Sequence, residues 1–379
     1  MIGALLLSGA RTASPALLVF LAIVRRDIGP LAFSLIACGI AATVATFQFS
    51  IFTSFVDASS AAPHYLAADA WISDRGVECF DFPSPLPEGY AGTLAALLPG
   101  ARFDRVVMGF TTYVSPAGQR GNVAVIGTDA SGLGPREFRA DISEQGRLGL
   151  RLVGGPAGTE ASIGGRTVQA VGSTDQLATY LGAPYAVLRY ESAHEVLNMP
   201  AETASYLMVR FAGPPPADLP ERLARIEARY PELTARTGAQ FNADSARYWQ
   251  GKTGAGAAIL LAAVLASLLM ALLLVNGIGR FVQRRHDDLV SMIGHGASPA
   301  QLAILLLLIG LLLVLASLTQ ALVAVPMLDL VTNDWLPWVR FKSGDALFAV
   351  VVAGAAYLAA VVSANQALGR FPPDAIFRS

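Results

Sequence analysis

Arg280-Phe-Val-Gln-Arg-Arg-His-Asp-Asp-Leu-Val-Ser-Met-Ile-Gly-His-Gly-Ala-Ser-Pro-Ala-Gln301 is the stretch that decides the fold, because of what flanks it. An uncharged run, Gly254 to Gly279, leads into it, and a second apolar run starts at Leu302. Two apolar helices joined by a compact charged helix suit a membrane protein that something on the cytoplasmic side pushes or pulls. A helix from about Phe281 should stop at Gly294 or Gly296, since glycine is the usual residue just past a helix C-terminus. Ser298 can then cap the next helix, with Pro299 at its first position and Gln301 closing a capping box. The chain would leave the membrane, form a short surface helix and re-enter at a fixed corner. A plain basic loop would need neither Asp287-Asp288 nor the two glycines and the box.

Composition supports the membrane reading. The chain has 379 residues, 54% of them hydrophobic, and a mean hydropathy of +0.51, which is too apolar for an ordinary soluble protein. A helix needs about 20 mostly apolar residues to span a bilayer. Segments 31–53, 256–278, 302–325 and 346–365 meet that length, and none contains Asp, Glu, Lys or Arg. The expected fold is therefore a membrane protein with four transmembrane α-helices and a large α+β extracytoplasmic domain between the first and second.

In domain terms the crossings are expected at 28–56, 254–279, 301–327 and 346–368. The outer domain takes 57–253 with stalk-like ends, the coupling connection 280–300, an outer loop 328–345 and a tail 369–379. Residues 14–24 are apolar but lack a basic lead, and Arg25-Arg26-Asp27 follow them, the wrong order for a cleaved signal peptide. A helix at the cytoplasmic interface over 1–27 fits better. Arg11, Arg25, Arg26, Arg280, Arg284, Arg285, Arg370 and Arg378 all fall on one side if both termini and the connection are cytoplasmic. Asp57 to Gln250 then lies outside and is acidic on balance, so the net charge of −1 conceals an asymmetry. Nothing resembles a nucleic-acid footprint.

The outer domain mixes two periodicities. Arg105–Val114 and Asn122–Ile126 read as a hairpin around Ser115–Arg120, and Tyr206–Phe211 as a further strand before the bend Gly213-Pro-Pro-Pro216. Asp218 and Glu221 can form a capping box on a helix whose Leu219, Leu223, Ile226 and Tyr230 share one face. Tyr90–Leu98 is a shorter helix candidate, and the Gly-rich stretch Gly146–Gly172 reads as strands and turns of a smaller subdomain. Thr53–Ala62 and Asn242–Gly254 are more polar continuations of the first and second crossings, as stalk helices or as loops.

Several chemistries find no support. Gly251-Lys252-Thr253 resembles the end of a P-loop, but Ala246 stands where that loop requires glycine, and a membrane crossing follows. His64, His194, His286 and His295 lack metal-ligand spacing to one another or to the two cysteines. No nucleophile-elbow pattern appears. Ion-coupled transport generally needs acids, bases or broken helices within the membrane. Here the crossings carry only polar residues such as Gln48, Asn276 and Gln320, which more often join helices. Cys38 falls in the first crossing and Cys79 in the outer region, so pairing within one chain is not expected, while an intermolecular bond through Cys79 stays open.

The whole pattern resembles the FtsX/MacB-type permeases of ABC transporters, the type VII or mechanotransmission class. The most specific resemblance lies in the connection. Arg284-Arg285 supply the family's basic cluster, Asp288 its acid, Met292 takes a Leu place, and Gly296-Ala297-Ser298 match directly. Ile293, Gly294 and His295 depart from it, replacing a basic residue, Ala and Leu. Arg25-Arg26-Asp27 through Gln48-Phe49 is similar to the DevC-like exporter branch, and Phe371 to Arg378 to the family's proline-containing end.

The resemblance implies a permease without a nucleotide site of its own, in a bacterial inner membrane. It pairs with a second copy and docks a separate ABC ATPase, which binds the ATP and Mg. Arg284, Arg285, Asp287, Asp288, Met292, Gly296 and Ser298 are the expected coupling residues. Membrane lipids and a periplasmic membrane-fusion adaptor are further partners to look for. The expected role is export or extraction of an amphipathic or hydrophobic cargo on the outer side. The alternative is a signalling subunit that activates an outer enzyme such as a cell-wall hydrolase. A passive receptor with no ATPase is a third option.

Overall fold

The computed structural model describes residues 20, 22–26, 28–114, 118, 120–129, 148–149, 160–172, 177, 183–333, 335–336 and 338–368. The tail resemblance at 371–378, most of the 1–27 segment and residues 115–117 and 119 of the hairpin turn lie outside these residues. Two compact units emerge. A helical unit takes the chain up to Thr53, Ala258–Asn333 and the part from Val339 onward, and a sheet unit takes Ser54–Ala257 with a short piece near Trp338.

In chain order, α1 (Ile28–Ala58) opens the described fold, and α2 (Ala61–Leu66) follows a break at Ser59-Ser60. The expected stalk over 53–62 is therefore helical, in two pieces. The sheet unit then runs β1 (Ala70–Asp74), β2 (Leu86–Pro87), α3 (Tyr90–Leu94), β3 (Ala101–Val114), β4 (Arg120–Thr128), β5 (Leu148–Gly149), β6 (Glu160–Ile163), β7 (Arg166–Gly172), β8 (Tyr185–Arg189), α4 (Tyr190–Val196), β9 (Thr203–Ala204), β10 (Tyr206–Phe211), α5 (Leu219–Arg229), β11 (Leu233–Thr237) and α6 (Gly238–Arg247). A π-helical turn, Tyr248–Lys252, leads to the remaining helices: α7 (Ala255–Arg284), α8 (His286–Gly294), α9 (Pro299–Thr332) and α10 (Ser343–Leu368).

Nine strands form one sheet in the order β11-β1-β10-β3-β4-β8-β5-β7-β6, and β2 and β9 form a separate pair. The β3–β4 hairpin is antiparallel with Val106 opposite Thr128 and Val114 opposite Arg120, as the alternating sequence predicts. β6 also pairs with the far end of β3, with Tyr113 opposite Ile163, so β3, β4, β8, β5, β7 and β6 close into a ring. The Gly-rich stretch thus does not stand apart as a subdomain. Its strands complete a ring built on the longest strand of the sheet.

One apolar cluster packs Trp71, Phe80, Tyr206 and Phe241 edge-to-face and stacked, with ring centroids 5.2–6.4 Å apart. Another seats Leu219, Leu223 and Ile226 of α5 against β1, β10 and β11. The capping box expected at its start does not form. Asp218 has φ −90°, ψ 17° and makes no cap bond, because its carboxylate accepts from Nε of Arg222 at 2.9 Å. A box that the sequence reading passed over stands at α6 instead, where Thr237 Oγ1 accepts from Gln240 N and Gln240 Oε1 from Thr237 N.

Four helices are long and apolar enough to cross a membrane: Leu31–Ala58, Ala255–Arg284, Pro299–Thr332 and Ser343–Gln366. They flank the sheet unit in sequence, one before it and three after. Their shared core includes Leu274, Leu305, Ile309 and Leu313, and α10 lines it with Ala353, Ala356, Ala360 and Ala364. Small residues at that spacing let helix backbones approach closely. Their outward faces carry Leu261, Leu265, Leu268, Leu315 and Leu358, all exposed. The short helix expected from about Phe281 to Gly294 or Gly296 is present but starts later, as α8 at His286. α7 continues through Gly279 to Arg284, because no residue there imposes a stop. Asn242–Gly254, expected as a stalk, is helical but interrupted, with Gly254 at φ +71°.

Candidate functional site

The connection between α7 and α9 is built by local hydrogen bonds. Arg285 sits between helices at φ −106°, ψ 17°, and α8 starts at His286. Asp287 and Asp288 occupy its first turn, where carboxylates are favoured by the positive end of the helix dipole. Arg285 pairs with Asp288 three residues on. The Arg285 side chain is 13% exposed and that of Asp288 57%, so the pair turns the arginine inward and leaves the acid outward.

The other end of α8 is closed as tightly. Ala297 N donates to Met292 O and Gly296 N to Ile293 O, both at 2.9 Å, which together make a Schellman motif. The motif needs a left-handed residue after the cap, and Gly296 supplies it at φ +91°. Of the two glycines read as stops, Gly296 is the one that turns the chain; Gly294 is the last residue of the helix. Ser298, extended at φ −76°, ψ 152°, begins α9 one residue after Ala297. Gln301 N donates to its Oγ at 3.3 Å, and Ser298 N donates to Gln301 Oε1 at 2.8 Å, so the predicted box is present with Pro299 in the first turn.

The seven residues singled out from sequence therefore separate by position. Leu289 is buried, and Met292 and Ile293 pack on the core of the helical unit, which presses one face of α8 against it. Arg285, Gly296 and Ser298 set the bends at its two ends. Arg284, Asp287 and Asp288 are exposed, as are His286, Ser291 and His295. This outward face carries both charges and no large apolar group. Such a face can dock a complementary polar surface and pass on a push, since the helix behind it is closed by the Schellman motif at its C-terminus and packs on the core through Leu289, Met292 and Ile293.

The opposite end of the helical unit is held differently. Asp345, in the first turn of α10, is 1% exposed. Its carboxylate accepts from Ser50 Oγ at 3.0 Å, Thr53 Oγ1 at 2.9 Å and Lys342 N at 2.9 Å. Nearby, Phe49 of α1 stacks on Phe348 of α10 with centroids 3.8 Å apart. The sequence carries one signal for this tie, an acid three residues past Lys342 at the head of an apolar run, and only the fold supplies the α1 hydroxyls.

In the sheet unit, Asp81 is buried and accepts from Trp249 Nε1 at 2.8 Å and from Tyr185 Oη at 3.4 Å. Trp249 lies in the π-helical turn, and Lys252 of the same turn pairs with Glu78. The segment that precedes α7 is thus tied to the loop after β1 at two points. Burial, then the Asp81 carboxylate, push the Cys79 thiol up to about 11. Cys79 is 0% exposed, so the intermolecular disulfide left open by the sequence would require this core to open. Arg105 joins Glu88 at 2.7 Å and Asp129 at 2.9 Å and lies 4.2 Å over the Tyr190 ring. Burial pushes the Glu88 carboxyl up, but hydrogen bonds from Tyr190 and Arg105 outweigh it and hold the group below the usual range.

These observations define a class by architecture: four membrane-crossing helices, a single sheet unit inserted between the first and second, and a capped helix joining the second and third. No family model matches the chain, and no characterised protein does at the sequence level. Among solved structures it is similar to the periplasmic region of MacB from Actinobacillus actinomycetemcomitans. The identity is 11% and the TM-score 0.33, over 46% of this chain and 91% of that one. It is also similar to the extracellular domain of the noncanonic ABC-type transporter YknZ from Gram-positive bacteria. There the identity is 11% and the TM-score 0.30, over 45% of this chain and 99% of that one. Neither bears on the DevC-like branch.

Proposed function

We propose that this chain is the membrane subunit of an ATP-driven machine of the FtsX/MacB type, with its ATPase on a separate polypeptide. The observation that carries the reading is α8, a nine-residue helix closed by a Schellman motif just before the capping box of α9, with Asp287 and Asp288 exposed on it and Arg284 exposed at the end of α7 beside it. The excess of arginine beside the crossings, at Arg25, Arg26, Arg280, Arg284 and Arg285, supports an orientation with α8 and both termini on the cytoplasmic side of a bacterial inner membrane. ATP and Mg belong to the partner, and two copies of this chain would work as a pair. Export or extraction of a hydrophobic or amphipathic cargo on the outer side is the favoured role.

The test is recruitment. Full-length protein purified from its own membranes should carry a cassette ATPase. Asp287→Lys with Asp288→Lys should lower the amount bound at least tenfold, while the thermal midpoint of the purified chain falls only slightly, through the lost dipole and ion-pair contributions. Recovery of no ATPase, or equal recovery with the double variant, removes the proposal. Identification of an adaptor or a cell-wall hydrolase on the sheet unit separates export from signalling.

A further inference from the structure

A cavity of about 520 Å3 lies between the start of α1 and the end of α7, at the same end of the helical unit as α8. Arg280, Arg284 and Arg285 form its charged wall, Ser34 adds a hydroxyl, and Leu31, Phe33 and Phe281 form its apolar wall. Arg285 is already engaged by Asp288. Arg280 and Arg284 are exposed, and among the described residues neither has an ion pair or a hydrogen-bonded partner. Four residues apart on one helix, they stand one above the other on the same face. Two guanidinium groups that line one cavity can both reach a single tetrahedral anion, and arginine's planar fork suits phosphate oxygens.

The apolar wall narrows the choice of anion. Phe33 is 67% exposed at the edge of the cavity, where α1 enters its apolar run. A free phosphate would leave these aromatic carbons uncovered, and the space far exceeds what it needs. A phosphodiester attached to a glycerol and the first methylenes of acyl chains uses both walls. Basic pockets between helices at the membrane surface are suited to anionic headgroups. We infer that this cavity binds an anionic phospholipid, with Arg280 and Arg284 clasping the phosphate and Phe33 and Phe281 covering the start of the chains. The inference rests on the membrane reading above but not on ATPase docking.

The experiment uses the full chain in a zwitterionic detergent, titrated with phosphatidylglycerol or phosphatidylcholine. Native mass spectrometry reads bound lipid and thermal unfolding reads stabilisation. Phosphatidylglycerol should stay bound and raise the midpoint, and phosphatidylcholine should do neither. Arg280→Gln with Arg284→Gln should weaken retention by about tenfold or more, at roughly a several-fold loss per arginine. Gly277→Leu should do the same with every arginine intact. A Cβ at Gly277 meets its nearest neighbours, Leu313 and Ser34, at 3.6 Å, so the backbone accepts it while the longer side chain fills the cavity.

Arg25→Gln with Arg26→Gln removes two exposed arginines outside the cavity lining and should leave retention unchanged. Equal retention of the two lipids overturns the inference, and so does an equal loss with the Arg25/Arg26 pair, which would mean diffuse charge. Undiminished binding by the Gly277 variant overturns it as well. Stabilisation by inorganic phosphate alone, as large as by phosphatidylglycerol, would reduce the site to a free-anion site and overturn the lipid assignment. Lipid binding without a recovered ATPase would sink only the proposed function, and a recovered ATPase without lipid binding would sink only this inference.

Discussion

The two ends of the helical unit are fixed by opposite means. At the α8 end every bond that sets the corner joins residues three to five apart, as in Ala297 N to Met292 O and Ser298 with Gln301. At the other end the key bonds span most of the chain, with Ser50 and Asp345 separated by 295 positions. A locally closed corner keeps its shape wherever the rest of the protein moves, so it can act as a rigid piece. A long-range tie exists only when α1 and α10 are assembled, and it makes their ends one body. The contrast predicts that lesions at the Asp345 end cost global stability, whereas lesions at the α8 corner cost little stability and disturb shape.

The largest effect should come from Asp345→Ala. It removes the acceptor of the buried Ser50 hydroxyl and of the partly buried Lys342 amide, leaves Thr53 Oγ1 only its bond to Ser50 O, and should cost about 3 kcal/mol. Chemical unfolding in detergent micelles would measure it, with Asp345→Asn recovering part of the loss. Trp249→Phe tests the second long-range tie, in the sheet unit. It removes the Nε1 donor from buried Asp81 and should cost about 2 kcal/mol, read as a lower unfolding midpoint.

Gly296→Ala places a side chain at φ +91° and should cost about 1–2 kcal/mol, with proteolysis between His286 and Gln301 accelerated. Ser298→Ala removes one half of the box and should cost about 1 kcal/mol by the same assay. If either corner variant proved more damaging to global unfolding than Asp345→Ala, the division into a local corner and a long-range tie would fail.

What could be read from the sequence follows the same division. The four crossings, the Ser298 box and the glycine turn were legible because each depends on neighbours a few residues away. Local signals also misled where two of them competed. Asp218 has the residue type and spacing of a cap, yet Arg222 stands four residues on and takes its carboxylate. Gly279 suggested an end to the second crossing, but glycine inside an otherwise apolar helix only weakens it, and α7 continues to Arg284.

The sequence pattern singled out seven residues as expected coupling positions, but it could not tell which of them face inward. Burial of Arg285 and exposure of Arg284 and Asp287 depend on how α8 lies against the core. The ring closed by β6 on β3, the Asp81–Trp249 bond and the α1–α10 tie depend on strands and helices meeting, and no neighbouring residue announces them.

Only His295, Gly296 and Ala297 lie between the last turn of α8 and the Ser298 cap. One residue inserted just past that cap, within the first turn of α9, would turn the rest of the helix by about 100° relative to the corner. Leu305, Ile309 and Leu313, now buried, would then point toward lipid. A change of length here moves a whole helix face, whereas a change of residue at Ile293 or His295 moves only one side chain. Length at this corner, as much as the left-handed glycine, sets which face of α9 meets the core.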